Sequence, residues 1–275
     1  MNEKKLFAQI KEKRSFLCVG LDVDLKKIPS HLLTESDPIF SFCKEIIDST
    51  SEYAIAYKPN IAFFESYGSM GWKALEKVSS YLSTKYPDIF SIADAKRGDI
   101  GNTAFQYAKA FFENLSFDSI TVNPYMGRDS VEPFLSYEDK YTILLTLTSN
   151  SGANDFQFFG SPNKPLFNRV IEVSKKWENA NRLMYVVGAN QIDQISKIRD
   201  LLPDSFFLVP GIGMQGGDIE KVISNGLTHK CGLIINSSRQ IIYADSGREF
   251  YKHAKNQAKT VQKVMEKQLI IRGIL

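Results

Sequence analysis

Ser91-Ile92-Ala93-Asp94-Ala95-Lys96-Arg97-Gly98-Asp99-Ile100 begins as an apolar run and finishes in charge. A strand covered on both faces reads as a short, nearly continuous apolar segment. Charge at its C-terminal end marks the place where it leaves the core. Asp94 and Lys96 are two residues apart, so in an extended chain both side chains point the same way. Seven other short runs, β-branched or aromatic, have the same character: Phe16 to Asp22, Ala54 to Lys58, Ser119 to Asn123, Thr142 to Leu147, Leu183 to Gly188, Phe206 to Val209 and Gly232 to Asn236. Ile89 to Asp94 is the third of the eight in chain order. Amphipathic stretches lie between them, such as Trp72, Leu75, Val78 and Leu82, which are expected on one helical stripe packed against the sheet. A strand-then-helix rhythm repeated eight times in 275 residues predicts the α/β class. The expected architecture is a (β/α)8 TIM barrel, one domain over residues 1–275 with a short N-terminal helix.

Active sites of that fold are assembled from the loops at the C-terminal ends of the strands. The first two strands also end in charge, at Asp22 and Lys58. Neighbouring strands would thus deliver alternating carboxylates and ammoniums to one cleft. Buried charges persist only when paired, so an ion-pair scaffold at the barrel mouth is one reading. The Gly98-Asp99 turn, with Asn102 and Thr103 opening the next helix, places more polarity there than a scaffold needs and favours catalysis.

Composition narrows the class of partner. The net charge is +3 and 43% of residues are hydrophobic, enough for one large core. Basic residues are scattered or spaced as a solvated helix face, as in Lys255, Lys259, Lys263 and Lys267. With no basic stripe interleaved with aromatics, nucleic acid is not an expected partner, and a small molecule is. Cys18, Cys43 and Cys231 are widely separated, lack metal-ligand spacing and fit a reduced, cytoplasmic compartment. Met1 to Arg14 carries charge throughout, unlike a signal peptide, and no apolar run reaches membrane-spanning length. The histidines, His31, His229 and His253, lie away from every strand end and read as surface or packing residues. Ser149 to Pro165 is the longest stretch without periodicity, and a loop of that length is often functional. Gly211, Gly213 and Gly216 spell Gly-x-Gly-x-x-Gly, but the next strand, Gly232-Leu233-Ile234-Ile235-Asn236, has no acidic end. A dinucleotide site is therefore disfavoured.

Asp94 to Ala104 resembles the Asp-x-Lys-x-x-Asp-Ile signature of orotidine 5'-phosphate decarboxylases. The likeness continues in order through Val19-Gly20-Leu21-Asp22, Tyr57-Lys58-Pro59-Asn60, Val122-Asn123-Pro124-Tyr125, Thr148-Ser149-Asn150, Val209-Pro210-Gly211-Ile212-Gly213 and Ser238-Arg239. The Asn-Pro-Tyr-Met-Gly segment and long loops are similar to the larger-loop branch. The resemblance implies cofactor-free, metal-free decarboxylation of orotidine 5'-monophosphate to UMP, the last step of de novo pyrimidine nucleotide biosynthesis. It makes Lys96 the group that stabilises and protonates carbon 6, sets Asp94 against the departing carboxylate, and has Lys58 and Asp22 complete the network and meet ribose hydroxyls. It also implies a homodimer in which Asp99, Ile100 and Thr103 reach the neighbouring subunit's site. Ser149 matches the pyrimidine-recognition position, although Ser151 stands where the family often has proline. Gln215 and Arg239, in the loops after strands seven and eight, are the expected phosphate contacts. Asn123 reads equally as a substrate contact or a strand cap. Two rivals remain at this level: a magnesium-dependent sugar-phosphate decarboxylase or aldolase of the same superfamily, and a catalytically silent barrel that binds nucleotide phosphates.

Overall fold

The apolar runs form strands whose burial is continuous. In the computed structural model, which describes residues 1–162, 164–211 and 219–275, they are β1 (Leu17–Leu21), β2 (Ala54–Pro59), β3 (Phe90–Arg97), β4 (Ser119–Val122), β5 (Tyr141–Leu147), β6 (Leu183–Val187), β7 (Phe207–Val209) and β8 (Leu233–Ser237). Among the described residues these eight pair in parallel in chain order, and β8 pairs back onto β1 through Leu17 with Ile235, closing the barrel. Every residue of β1, β2, β4, β6, β7 and β8 is buried. Strands covered by one another's interior side chains and by outer helices require this, and it is why they read as runs instead of alternating.

Helix α1 (Glu3–Lys13) precedes the barrel, capped by the Asn2 side chain and burying Leu6 and Ile10. The N-terminal ammonium bonds Asp118 at 3.0 Å. The longer crossover helices are α2 (Pro38–Thr50), α3 (Gly68–Lys85), α4 (Gly101–Lys109), α5 (Leu166–Ser174), α6 (Ile192–Leu201), α7 (Ile219–Gly226) and α8 (Phe250–Ile271). On α3 the packed stripe contains Leu75, Val78 and Leu82 as expected, but Trp72 is 39% exposed. The buried row runs through Gly71 instead, four residues before Leu75. The aperiodic stretch after β5 is partly structured, with a helical turn at Ala153–Phe156 and a small antiparallel hairpin joining Gly160–Ser161 to Lys164–Pro165. The three cysteines are free and buried. Among the described residues no helix is long and apolar enough to cross a membrane.

Arg199, on α6, has a position that helical period does not foretell. It is 9% exposed, and its guanidinium donates to the carbonyls of Leu202, Ser205, Gly226 and Gly232 at 2.6 to 2.9 Å while covering the Phe207 ring at 3.6 Å. Burial lowers its pKa to about 10. One side chain thereby ties α6, the end of α7 and the starts of β7 and β8. Arg199→Met removes those donors and should cost about 3 kcal/mol of stability, with Arg199→Lys recovering only part because an ammonium lacks the fork geometry. Chemical denaturation of the three proteins measures this, and an Arg199→Met protein as stable as the parent would contradict it.

Candidate active site

Asp94 is the centre of a charge cluster where β2 and β3 leave the barrel. Its Oδ2 accepts from Lys58 Nζ at 2.7 Å and its Oδ1 from Lys96 Nζ at 2.6 Å. Lys58 is 3% exposed and the Asp94 side chain 11%, whereas the Lys96 side chain is 51% exposed. Burial by itself would depress the Lys58 pKa, but Asp94 and then Asp22 outweigh it and hold the ammonium above its ordinary range. Burial would likewise raise the Asp94 pKa, yet Lys58 and Lys96 hold the carboxyl well below the usual carboxylate range. Lys58 and Asp94 are thus each held in the charged form.

Lys96 meets Asp94 by a different route from the plain strand alternation expected of residues two apart. The β3–β4 register shifts between Ala93 and Arg97, and Lys96 has a φ of 49°. A non-glycine residue in the left-handed region costs about 1–2 kcal/mol. Thr121 on β4 supports it: Lys96 N donates to Thr121 Oγ1 at 2.9 Å, and that hydroxyl donates to Asp94 Oδ1 at 3.1 Å. Arg97 holds the other side of the irregularity. It pairs with Glu65, packs over Tyr107 and Phe111, and its carbonyl accepts from Asn123 N at 2.8 Å.

Asp22, Lys58, Asp94 and Arg239 line one cleft of about 670 Å3, together with Asn60, Gly211, Asn236 and Tyr243. On the β1 and β8 side the walls nearly touch. A Cβ on Gly20 would fall 1.8 Å from Ser238 Oγ, so only glycine fits there. The Tyr243 hydroxyl accepts from Asp24 N at 2.7 Å and donates to Asp22 O at 2.8 Å, which fixes the loop carrying Asp22. Asp22 Oδ1 and Asn236 Oδ1 are buried acceptors with no hydrogen-bond donor among the described residues. Such atoms suit the hydroxyl groups of a ligand. Arg239 opens the helical turn Arg239–Ile242 and is exposed at the rim.

The other sequence candidates lie apart from this lining. Ser149 is exposed above β5, near Gly211, where a Cβ would come within 3.7 Å of Ser149 Oγ. Asn123 accepts from Tyr125 N at 3.0 Å, the geometry of a strand cap, and borders a second cavity of about 450 Å3. Asp99 accepts from its neighbour Ile100 N at 2.8 Å, and Asp99, Ile100 and Thr103 are absent from the walls of the main cleft. Gln215 lies outside the described residues. Thr121, Asn60, Asn236 and Tyr243 are contributors that sequence reading missed. Thr121 and Asn236 sit at or near strand ends and could have been inferred from position alone, whereas Tyr243 carries no signal before folding brings it over Asp22. Among the described residues, no three His, Cys, Asp or Glu gather as a metal-binding group.

Comparison with known proteins places this chain in a family. The family model described as orotidine 5'-phosphate decarboxylase / HUMPS family matches residues 15–254. A protein of Christiangramia forsetii named orotidine 5'-phosphate decarboxylase is 57% identical over 98% of this chain and 99% of its own length. One of the same name from Flavobacterium johnsoniae is 56% identical over 96% and 97%. The solved structure of Leishmania donovani OMP decarboxylase superposes with a TM-score of 0.80 at 36% identity, covering 96% of this chain and 100% of that one. Agreement of this depth along both sequence and backbone is decisive: the chain belongs to the orotidine 5'-phosphate decarboxylase family.

Proposed function

We propose that this protein converts orotidine 5'-monophosphate to UMP without a cofactor, in the cytoplasm and as a homodimer. The observation that carries the mechanism is the Asp94 carboxylate shared by Lys58 and Lys96 at the mouth of the barrel. Decarboxylation breaks the bond from carbon 6 to the carboxylate carbon and leaves the electron pair on carbon 6, which has no adjacent electron sink. A fixed ammonium at that point stabilises the developing charge electrostatically. Lys96 fills this role. Carbon dioxide departs, the Lys96 ammonium gives a proton to carbon 6, and the neutral amine regains one from water. Asp94 orients the Lys96 ammonium through their 2.6 Å contact, and faces the leaving carboxylate. Lys58 holds Asp94 ionised from the buried side. Asp22 takes ribose hydroxyls on its orphaned oxygen, Arg239 and Gln215 take the phosphate, and Ser149 meets the pyrimidine amide edge. Asn123, just past β4, makes a minor substrate contact.

The homodimer rests on the family resemblance, with the composition of the cleft as support. The resemblance assigns Asp99, Ile100 and Thr103 to the partner's site, and they are absent from the walls of their own cleft; Lys96, absent from those walls too, belongs to its own site through its contact with Asp94. Ile100 is 55% exposed and Tyr125 80%. Their loops are neighbours, since a Cβ on Gly98 would come within 3.4 Å of Asn123. Burial of the three thiols without disulfides is compatible with a reducing compartment.

Purified protein treated with excess chelator should deplete orotidine 5'-monophosphate in an ultraviolet assay, and turnover that is absent or requires added magnesium would overturn the assignment. Lys96→Ala should lose at least about 10³-fold in kcat, while Arg239→Ala raises KM with a smaller effect on kcat. Mixing Asp99→Ala with Lys96→Ala subunits should restore activity through heterodimers that retain one intact site. Absence of recovery after proven subunit exchange counts against the shared site.

The ionic state of the cluster also makes a prediction about acid. Asp94 is held below its unfolded pKa, so its ionisation stabilises the fold above about pH 4 and that contribution fades as pH falls further. Lys58 is held above its unfolded pKa, so its contribution is complete below about pH 10 and disappears only in stronger base. Asp94→Asn should therefore be less stable than the parent by about 3 kcal/mol between pH 5 and 9, with the gap narrowing below pH 4. Thermal unfolding across that range tests it, and a gap that widens toward acid would contradict the charge assignment.

A further inference from the structure

The loop that follows β5 is held by side-chain carboxamides, and one of them, Gln157, is a residue to which sequence reading gave no role. Gln157 lies just after the helical turn Ala153–Phe156. Its Oε1 accepts from Thr148 N at 2.8 Å and its Nε2 donates to Thr148 Oγ1 at 2.8 Å. The Thr148 hydroxyl passes the chain on to Asn150 Oδ1 at 2.6 Å. From the opposite side Gln191 Nε2 donates to Thr148 O at 3.2 Å and Asn190 Nδ2 to Ser149 O at 2.9 Å. Gly188 closes the remaining space, since a Cβ there would stand 2.8 Å from Ser149 N. The peptide units on either side of Ser149 are thus fixed while its own side chain stays exposed, beside the Gly211 edge of the cleft.

Gln157 is itself anchored. Its N–H donates to Ala153 O at 2.8 Å, and its carbonyl accepts from Phe167 N at 3.0 Å in the first turn of α5, where Phe167 is buried. An unbroken series of contacts therefore runs from the core through Phe167 and Gln157 to Thr148 and the residue after it. Two hydrogen bonds from one planar amide set both the distance and the rotation of Thr148. A binding group oriented before its ligand arrives loses less freedom on association.

We infer that Gln157 is a positioning residue for pyrimidine recognition, holding Ser149 in the orientation that meets the base. This rests on the proposed role of Ser149. Its consequence is selective: Gln157 governs affinity for the base and leaves the phosphate end of the ligand alone. A residue needed only for folding would weaken every ligand alike.

Calorimetric titration of the full chain with UMP and with ribose 5-phosphate, which lacks the base, separates the two. Gln157→Leu should weaken UMP about tenfold and leave ribose 5-phosphate unchanged. Gln157→Glu keeps an acceptor for Thr148 N–H and should return UMP affinity to within about threefold of the parent. Ser149→Ala serves as the reference and should show the same selective loss. Equal losses for both ligands in Gln157→Leu, or no loss for either, overturn the positioning role. A Ser149→Ala protein with unchanged UMP affinity overturns it differently, by removing the reading on which it rests.

Discussion

A carboxylate that is nearly buried and shared between two ammoniums sets the conditions for everything around it. Asp94 could not remain ionised at that depth alone, and Lys58, 3% exposed, could not remain protonated without it. Each makes the other's burial tolerable, because desolvation of a single ion costs several kcal/mol that only close, well-directed opposite charge returns. The requirement reaches into the backbone. To bring Lys96 to the second oxygen, β3 gives up its register against β4 and Lys96 takes a left-handed conformation. Thr121 and Arg97 then hold the distortion in place. A charge centre of this kind has to be built on strands, since loop residues would relax away from the strain.

The barrel supplies the rigidity. Its strands are buried along nearly their whole length, and β1 meets β8 so closely that a methyl group at Gly20 would collide with Ser238. Asp22 and Asn236 line the same cleft, each with a buried acceptor that has no donor among the described residues, and Arg239 stands exposed at the rim. The chemistry of the cleft is graded accordingly. Fixed charge lies deep between β2 and β3, hydroxyl acceptors lie between β1 and β8, and the groups suited to ligand ends stand on the loops above. Arg199 near the end of α6 ties several elements through backbone carbonyls and the Phe207 ring, so part of the framework's cohesion is independent of the cluster.

Much of this was legible in the sequence, for identifiable reasons. Strand positions followed from short apolar runs, and the charged ends of three of them pointed to Asp22, Lys58 and Asp94, because in a parallel barrel strand ends converge. The route by which Lys96 reaches Asp94 was hidden, since a register shift depends on the pairing partner and on a hydroxyl of β4, neither of which alters local period. Helical period placed Trp72 inside and gave no reason to bury Arg199. The first failed because the stripe passes through Gly71, which carries no hydrophobic signal. The second failed because two of the four carbonyls that pair with Arg199, those of Gly226 and Gly232, lie distant in sequence. Gln157 was invisible for a further reason: in an aperiodic stretch nothing separates a bonded carboxamide from a solvated one.

The exposure of Lys96 connects this arrangement to catalysis. Its side chain is 51% exposed, while the carboxylate it touches is largely covered. A charge facing water acts weakly on its surroundings, and the same charge with water excluded acts several times more strongly. On the proposed mechanism Lys96 gains its full effect only when a ligand covers it, and the groups remote from carbon 6, a phosphate held at Arg239 and a base held at Ser149, would supply that cover. Binding at those ends does not itself lower the barrier. On that reading it excludes water from a cluster whose charges are already placed, so binding energy from the non-reacting parts of the ligand would be expressed at the reacting carbon.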